Sequence, residues 1–349
     1  MLSRLFKDFQ GDVVAIPGRL IALIFFVLLF LIPAFTQQPY ILRMLIFTNM
    51  FVIFAVSWDF ISGYTGQLNF GHALFFGVAA YTTALLNRGG DLGPHWPIWV
   101  TIPLGAIAAV IAGVVMCLPA LRLRGPYLAL VTLAFPLILL GVIFSFTKFT
   151  GGELGISGID RISDSRTVEY YISVLVMIVS VFIMWKLTDA QSGLVRTGII
   201  LHAIREDEIA ARASGINTIR YKLFAFAVGG FFAGIAGGFY AHFLRIAGPS
   251  SLDLTLSFQA IIWTVFGGIV SIYGAVVGVY ILYPLMESLR SISEYRMLIF
   301  AVIVILILLF MPEGIAVWIR DKIERQCPRC KLTNVSWRHT CRACSADLY

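Results

Sequence analysis

Apolar runs long enough to cross a lipid bilayer recur along this chain, and they constrain its fold more than any other feature. A helix needs about 20 mostly apolar residues to cross the hydrocarbon core of a bilayer. Of the 349 residues, 59% are hydrophobic and 13% are charged, which leaves too little polar surface for a soluble domain. The sequence therefore predicts an all-α polytopic membrane protein.

The apolar runs predict about eight full transmembrane helices and one broken, re-entrant pair. The pair is predicted at 255–289, which is too long for one upright helix and is interrupted at Gly267 and Gly268. Basic residues at 320–325 place the C-terminus in the cytoplasm, and a re-entrant pair gives the even number of crossings that a cytoplasmic N-terminus then requires. The eight full spans are predicted at 20–35, 41–61, 62–86, 98–118, 127–147, 170–187, 223–244 and 296–311.

Two features of the sequence exclude other simple classes. No small-x-small cleavage site follows the run at 20–35, so it is interpreted as an uncleaved span rather than a signal peptide. The net charge of +7 is explained by the gathering of Lys and Arg in cytoplasmic loops. We therefore expect membrane lipid, and no nucleic acid, around this protein.

One strongly polar segment, residues 191–222, interrupts the apolar sequence. Its charged residues Arg205, Glu206, Asp207, Glu208 and Arg212 fall on about two helical turns. Each such charge costs roughly 2.5–3.5 kcal/mol at the centre of a membrane helix, so the segment lies in the aqueous phase between two spans. We expect it to present a surface to an ATP-hydrolysing partner, although Glu208 and Arg212 have the spacing of a pair that only stabilises its own helix.

Glycines interrupt the predicted span at 62–86, with polar residues between them. Broken helices with polar side chains at membrane depth are tolerated where they line a cavity or are buried in protein. Lining of a transport pathway is therefore one interpretation, and an interfacial loop followed by a glycine-packed span is the other. The pathway candidates are Gly63, Thr65, Gly66, Gln67, Asn69, Gly71 and His72.

The longest predicted outer loop, residues 148–169, is rich in Gly and Ser and carries both signs of charge. A solvated linker would have this composition, but a loop of this length usually has a function. We expect it to contact an external partner. The docking candidates are Gly151, Gly152, Glu153 and Gly155.

Several motifs resemble the permeases of bacterial ABC importers for branched-chain amino acids, over about residues 40–320. The loop TGGELGISGI resembles the M-type (LivM-like) subunit rather than the shorter H-type (LivH-like) subunit. The other motifs are GYTGQLNFGHALFFGVAAY, RLRGPYLALVTLAF, AIREDEIAARASGINTIRYKLFAF, FGGIVSIYGAVVG and FMPEGI.

This resemblance implies a permease subunit in the cytoplasmic membrane of a bacterium or archaeon, without catalytic residues of its own. It implies three kinds of partner: a LivH-like second permease, two cytoplasmic ATPases and an extracytoplasmic substrate-binding protein. It also implies a coupling helix over 203–215, with these contact residues: Ala203, Ile204, Arg205, Glu206, Asp207, Glu208, Ala210, Ala211 and Gly215.

The substrate is left open by the sequence. Branched-chain or related amino acids are predicted, and urea or short amides are the alternative within this class. An ion-coupled carrier or channel would require charged residues at mid-membrane, which are nearly absent from the predicted spans. A membrane-anchored zinc sensor would not need the charged segment.

The last residues contain two CxxC pairs, Cys327 with Cys330 and Cys341 with Cys344. Two such pairs with a short spacer indicate a tetrahedral thiolate site, for which zinc is the expected metal. Iron binds the same ligands, and disulfides are disfavoured in a reducing cytoplasm. The predicted domains are a cytoplasmic segment at 1–19, a permease domain at 20–318 with its coupling loop at 188–222, and a zinc-ribbon-like tail at 319–349.

Overall fold

The computed structural model describes residues 17–89, 95–120, 126–189, 197–292, 294–330, 333–336, 339–341 and 344–347. Most of the N-terminal segment, the loop with Arg122 and Arg124, and the start of the charged segment at 191–196 lie outside these ranges. The α-helices longer than four residues are α1 (Pro17–Phe35), α2 (Pro39–Trp58), α3 (Ala73–Arg88), α4 (Ile98–Ala120), α5 (Pro126–Ser145), α6 (Arg166–Thr188), α7 (Thr197–Glu206), α8 (Glu208–Ala213), α9 (Thr218–Leu244), α10 (Leu254–Gly267), α11 (Ile272–Ser288), α12 (Arg296–Phe310) and α13 (Ile315–Ile323). The strands are β1 (Ile156–Ser157), β2 (Ile246–Ala247), β3 (Glu324–Gln326) and β4 (Thr333–Val335).

Six segments within the described ranges are long and apolar enough to cross a membrane, which confirms the multi-pass helical architecture. They are Pro39–Gly63, Ile98–Pro119, Tyr127–Ser145, Arg166–Thr188, Thr218–Leu244 and Met297–Ile323. In the first of them, α2 continues through a π-helical turn, Asp59–Gly63. The apolar part of α1, Ile24–Phe35, is shorter than these six.

The predicted span at 62–86 begins later than expected, and this prediction is corrected. The helix α3 starts at Ala73 and has 16 residues, or about 24 Å, which is less than the ~30 Å hydrocarbon core. Residues 66–72 form no helix, because Gly66 has a φ of 70° and the side chain of Asn69 accepts a hydrogen bond from the Gly71 N–H at 3.0 Å.

The break predicted at Gly267 and Gly268 is present. Helices α10 and α11 are bent by 111° at this point, and α11 returns toward the first turns of α10, where Gln259 Nε2 lies 3.9 Å from Met286 Sδ. A Cβ at Gly267 would collide with the Gly274 carbonyl. The pair therefore has the close glycine packing that a tight helical hairpin needs.

The core is centred on α9, which packs against α3 and α4. A Cβ at Gly237 would collide with the Phe76 carbonyl, and one at Gly234 would lie 2.7 Å from Ala106 Cα. Small residues let these backbones approach closely.

The bundle has two different ends, which α9 connects. At one end, called the ribbon end below, β1 and β2 pair antiparallel, with Ile156 opposite Ala247. At the other end, called the charged end below, lie α7, α8 and the turn between α10 and α11. The helix α13 is at this same end, because Gly314 packs directly on Gly268.

Candidate functional site

The charged segment forms two short helices rather than the single helix predicted over 203–215. Helix α7 ends at Glu206, and Asp207 is extended with a φ of −152°. Asp207 Oδ1 accepts hydrogen bonds from the backbone N–H groups of Ile209 and Ala210 at 2.8 and 3.0 Å. This carboxylate is therefore the N-cap of α8, and the cap accounts for the break.

Glu208 fixes α8 against α9. Its Oε1 accepts a hydrogen bond from Arg212 at 2.8 Å, and its Oε2 pairs with Lys222 of α9 at 2.8 Å. Burial acts to raise the pKa of the Glu208 carboxyl, but Lys222, Thr218 and Arg212 together hold this pKa below its ordinary value. The stabilising role that the Glu208–Arg212 spacing suggested is thus present, and Lys222 extends it to the next helix.

The two helices present a mixed charged and apolar surface. Ile204 and Ala211 are buried. They pack inside the protein and are not accessible to a partner. Arg205, Glu206 and Ile209 face outward, and the Ile209 side chain is 69% exposed. Ile209 was not among the predicted contact residues, because a single isoleucine in a charged segment gives little signal in the sequence.

The remaining coupling candidates lie on the same unit. Ala203 is half-buried and Ala210 is exposed. Gly215 has a φ of 84°, and its N–H donates to the Arg212 carbonyl at 3.0 Å, so it ends α8. Contact with an ATPase stays a prediction for these positions.

The polar pathway candidates are buried and largely hydrogen-bonded within the chain. His72 Nε2 lies 2.9 Å from Ser57 Oγ, Trp58 Nε1 donates to the Asn69 carbonyl at 2.7 Å, and Thr65 donates to the Ile61 carbonyl at 2.5 Å. Gln67 differs, because its Oε1 is buried without a hydrogen-bond partner among the described residues.

The glycines of this stretch bring backbones together. A Cβ at Gly63 would collide with the Asp59 carboxylate, and one at Gly71 with the Thr132 carbonyl. A Cβ at Gly66 would lie 3.6 Å from Arg205 Cγ, so this loop contacts α7. The geometry gives these residues a packing role, and pathway lining stays a prediction.

The predicted docking loop is a tight turn at the ribbon end. Gly151, Gly152 and Gly155 have φ values of 73°, 58° and 68°, a region that favours glycine. Glu153 and Leu154 are exposed, and Leu154 is 84% exposed. Both line an open pocket of about 420 Å³. The glycines shape the turn, whereas Glu153 and Leu154 are the side chains available to a partner.

The four tail cysteines converge on one point. All four Sγ atoms lie within 4.8 Å of one another, and three of the separations are 3.5 Å. Four sulfurs about 2.3 Å from one zinc ion would lie about 3.8 Å apart, whereas a disulfide requires about 2.0 Å. The backbone N–H of Cys330 leads the interactions that lower the pKa of Cys327, which favours the thiolate that a metal binds. Cys117 is buried in α4, away from this cluster.

Comparisons with known proteins agree on one family. Residues 40–310 match the family described as branched-chain amino acid transport system, permease component. The high-affinity branched-chain amino acid transport system permease protein LivM of Escherichia coli K12 is 29% identical over 79% of this chain and 70% of its own length. A probable branched-chain amino acid transport permease protein LivH of Methanocaldococcus jannaschii is 26% identical over 78% of this chain and 90% of its own length. No solved structure matches.

Proposed function

Because this chain belongs to the family of branched-chain amino acid transport permease components, we propose that it is the M-type permease subunit of an ATP-driven importer for branched-chain or related amino acids. Its relatives are permease subunits rather than enzymes. The chain has several apolar spans and, as a member of this family, is a multi-pass protein of the cytoplasmic membrane. Since it resembles both LivM and LivH proteins, it pairs with a second, LivH-like permease.

The proposed topology places the charged end in the cytoplasm. Eight crossings, six by the long segments, one by α1 and one by α3 with the non-helical residues 66–72 before it, return the chain to the side from which it started, as does the α10–α11 hairpin. Helices α7, α8 and α13 then share that side, in agreement with the positive-inside rule. The ribbon end faces outward, where Glu153 and Leu154 are offered to an extracytoplasmic substrate-binding protein.

The observation that carries the proposal is the two-helix unit, residues 197–213, in which the exposed Ile209 lies among charged side chains. Glu208 holds the unit to α9 through Lys222, so a force on α8 is transmitted to a long membrane helix. Exposed Ile209 supplies an apolar anchor, and Arg205 and Glu206 supply charges around it. An apolar anchor within a charged rim is the usual composition of a specific interface, and we propose an ABC ATPase as its partner.

The test replaces this anchor and assays partner binding. We expect detergent-solubilised wild-type protein, purified from its native membranes, to co-elute with ATPase subunits and ATP hydrolysis. The Ile209→Asp variant should lose roughly tenfold or more of the bound ATPase, because loss of a central anchor commonly costs 2 kcal/mol or more. Glu208 is left unchanged, because its loss would release α8 from α9.

The matched control is Leu154→Asp, which makes the same kind of change at an exposed apolar residue of the ribbon end. It should retain full ATPase binding. Equal binding by both variants, or the absence of an ATPase from the wild-type eluate, would contradict the coupling role. Uptake assays with amino acids, urea and acetamide then identify the substrate class.

We also propose that the tail binds one zinc ion through Cys327, Cys330, Cys341 and Cys344. The sulfur separations fit tetrahedral coordination, and the strands β3 and β4 lie on either side of the first CxxC pair. The tail lies beyond the family-matched residues 40–310. Its role is therefore structural or regulatory rather than part of the transport pathway.

A further inference from the structure

A second pocket at the ribbon end lies between α2, α9, α10 and α11, and it contains both signs of charge. Its volume is about 310 Å³, at the lower end of the range of small-molecule sites, roughly 300–1,000 Å³. It is lined by residues from all four helices, including Arg43, Tyr240, Gln259 and Glu287. The pocket at Glu153 and Leu154 has no basic residue in its lining.

Two arginines line this pocket: Arg290 pairs with Glu287, whereas Arg43 has no acidic partner among the described residues. Arg43 is exposed and forms no ion pair with any residue in the part of the chain that the structure describes. Its guanidinium lies 5.6 Å from the centre of the Phe47 ring, which orients it along α2. A guanidinium held in this way can bind a carboxylate through two parallel hydrogen bonds.

The anion lies on the other wall, at the end of α11. The Glu287 side chain is only 21% exposed, and its Oε1 accepts a hydrogen bond from Arg290 at 3.1 Å. Arg290 also lines the pocket. It contacts only Oε1, so among the described residues the other carboxylate oxygen is available. An ammonium group in the pocket would be a suitable partner for it.

Aromatic rings form the apolar part of the lining. Phe51 and Tyr283 lie 5.0 Å apart between ring centres, and Phe47 lies 5.9 Å from Tyr240. Met44 and Met286 complete the apolar part. This surface suits an aliphatic side chain, and methionine adapts to chains of different shape.

Interfacial anchoring explains only part of this arrangement. Tyr and Arg gather at membrane surfaces, where they point toward the lipid headgroups. Anchoring does not account for a half-buried glutamate that borders the same concavity as an arginine without an acidic partner. The carboxylate, ammonium and aliphatic side chain of one α-amino acid would satisfy all three parts of the lining.

We infer that this pocket is a binding subsite for zwitterionic α-amino acids with apolar side chains, where Arg43 holds the carboxylate and Glu287 the ammonium group. The inference rests on the proposed function and adds the residues that select the substrate class. It places the subsite at the outward end of the permease, where substrate enters from the binding protein.

The first test is uptake by the complete transporter, with both permeases, ATPases and binding protein, in proteoliposomes. We expect Arg43→Gln and Glu287→Gln each to raise the half-saturating concentration for leucine by about tenfold or more, because each removes a charge-assisted hydrogen bond. Arg88→Gln is the matched control, since Arg88 is exposed at the same end and lies outside both pockets. It should behave as wild type.

The second test does not depend on the assembly of those variants. A Met44→Cys protein is labelled with a membrane-impermeant thiol reagent in the presence of leucine, isovalerate or isoamylamine. Leucine should slow the labelling, whereas isovalerate lacks the ammonium group, isoamylamine lacks the carboxylate, and neither should protect.

The outcomes separate the two proposals. A wild-type transporter that takes up no amino acid overturns the proposed function, and the subsite with it. A wild-type transporter that takes up leucine, while both pocket variants match Arg88→Gln and leucine gives no protection, overturns the subsite alone.

Discussion

At the scale of single residues, Asp207 has a role that its charge alone does not suggest. In sequence it is one of several charges in a row, but in the structure its carboxylate accepts two backbone N–H groups at the start of α8. This interaction separates α7 from α8 and turns Ile209 toward solvent.

We expect Asp207→Ala to destabilise α8 by roughly 0.5–2 kcal/mol, the usual cost of losing an N-cap. Hydrogen exchange of the α8 amides in the purified protein measures this loss directly. Asp207→Asn keeps an acceptor in the same place and should exchange almost as slowly as wild type. Equal exchange in all three proteins would mean that the cap does not hold the helix.

Glu208 gives the same unit a pH dependence. Because Lys222, Thr218 and Arg212 lower its pKa in the folded protein, the pairing contributes stability above the unfolded-state pKa of about 4.3. This contribution is lost as the pH falls through the lower, folded-state pKa. We expect α8 exchange, corrected for intrinsic rates, to accelerate only below about pH 4, and Glu208→Gln to remove this step. A step that persists in Glu208→Gln would assign it to another group.

At the scale of elements, Asp59 connects α2 to the turn between α10 and α11. Its Oδ1 accepts the Val270 N–H at 2.9 Å, and Val270 has a φ of 64°, which is strained for a β-branched residue. Arg205 of α7 packs on Gly66, just beyond the π-helical turn. The π-helical turn, the hairpin turn and the proposed coupling unit therefore meet here.

We expect Asp59→Ala to lower the stability of the protein by about 1–3 kcal/mol, because it leaves the partly buried Val270 N–H without its acceptor. Asp59→Asn retains an acceptor oxygen and should lose less. The thermal unfolding midpoint in detergent measures both variants, and identical midpoints for Asp59→Ala and wild type would contradict this account of the hairpin turn.

The cysteine tail is the other element with a direct test. We expect one zinc ion per chain by metal analysis, reduced in Cys327→Ser and unchanged in Cys117→Ser. A small domain with four thiolate ligands folds on its metal, so chelation should also expose the tail to trypsin. A metal content that Cys327→Ser does not change would remove the site.

At the scale of the whole molecule, the sequence predicted those features that depend on neighbours along the chain. The multi-pass fold, the break at Gly267 and the cysteine cluster follow from hydropathy, glycine and CxxC spacing. The cap at Asp207 was not predicted, because a capping aspartate resembles any other charge in a charged run. Arg43 and Glu287 were missed for a different reason: they lie on helices far apart in sequence, and only the returning hairpin brings them to one pocket.

The Asp59–Val270 hydrogen bond also has a consequence for how the protein is made. The two residues are 211 positions apart, and at about 5–20 residues per second a ribosome needs on the order of ten to forty seconds to synthesise the intervening chain. During that interval the Asp59 carboxylate of the second span lacks the Val270 N–H that is its final hydrogen-bond donor. The second span can therefore reach its final packing only after α10 and α11 have been synthesised and inserted.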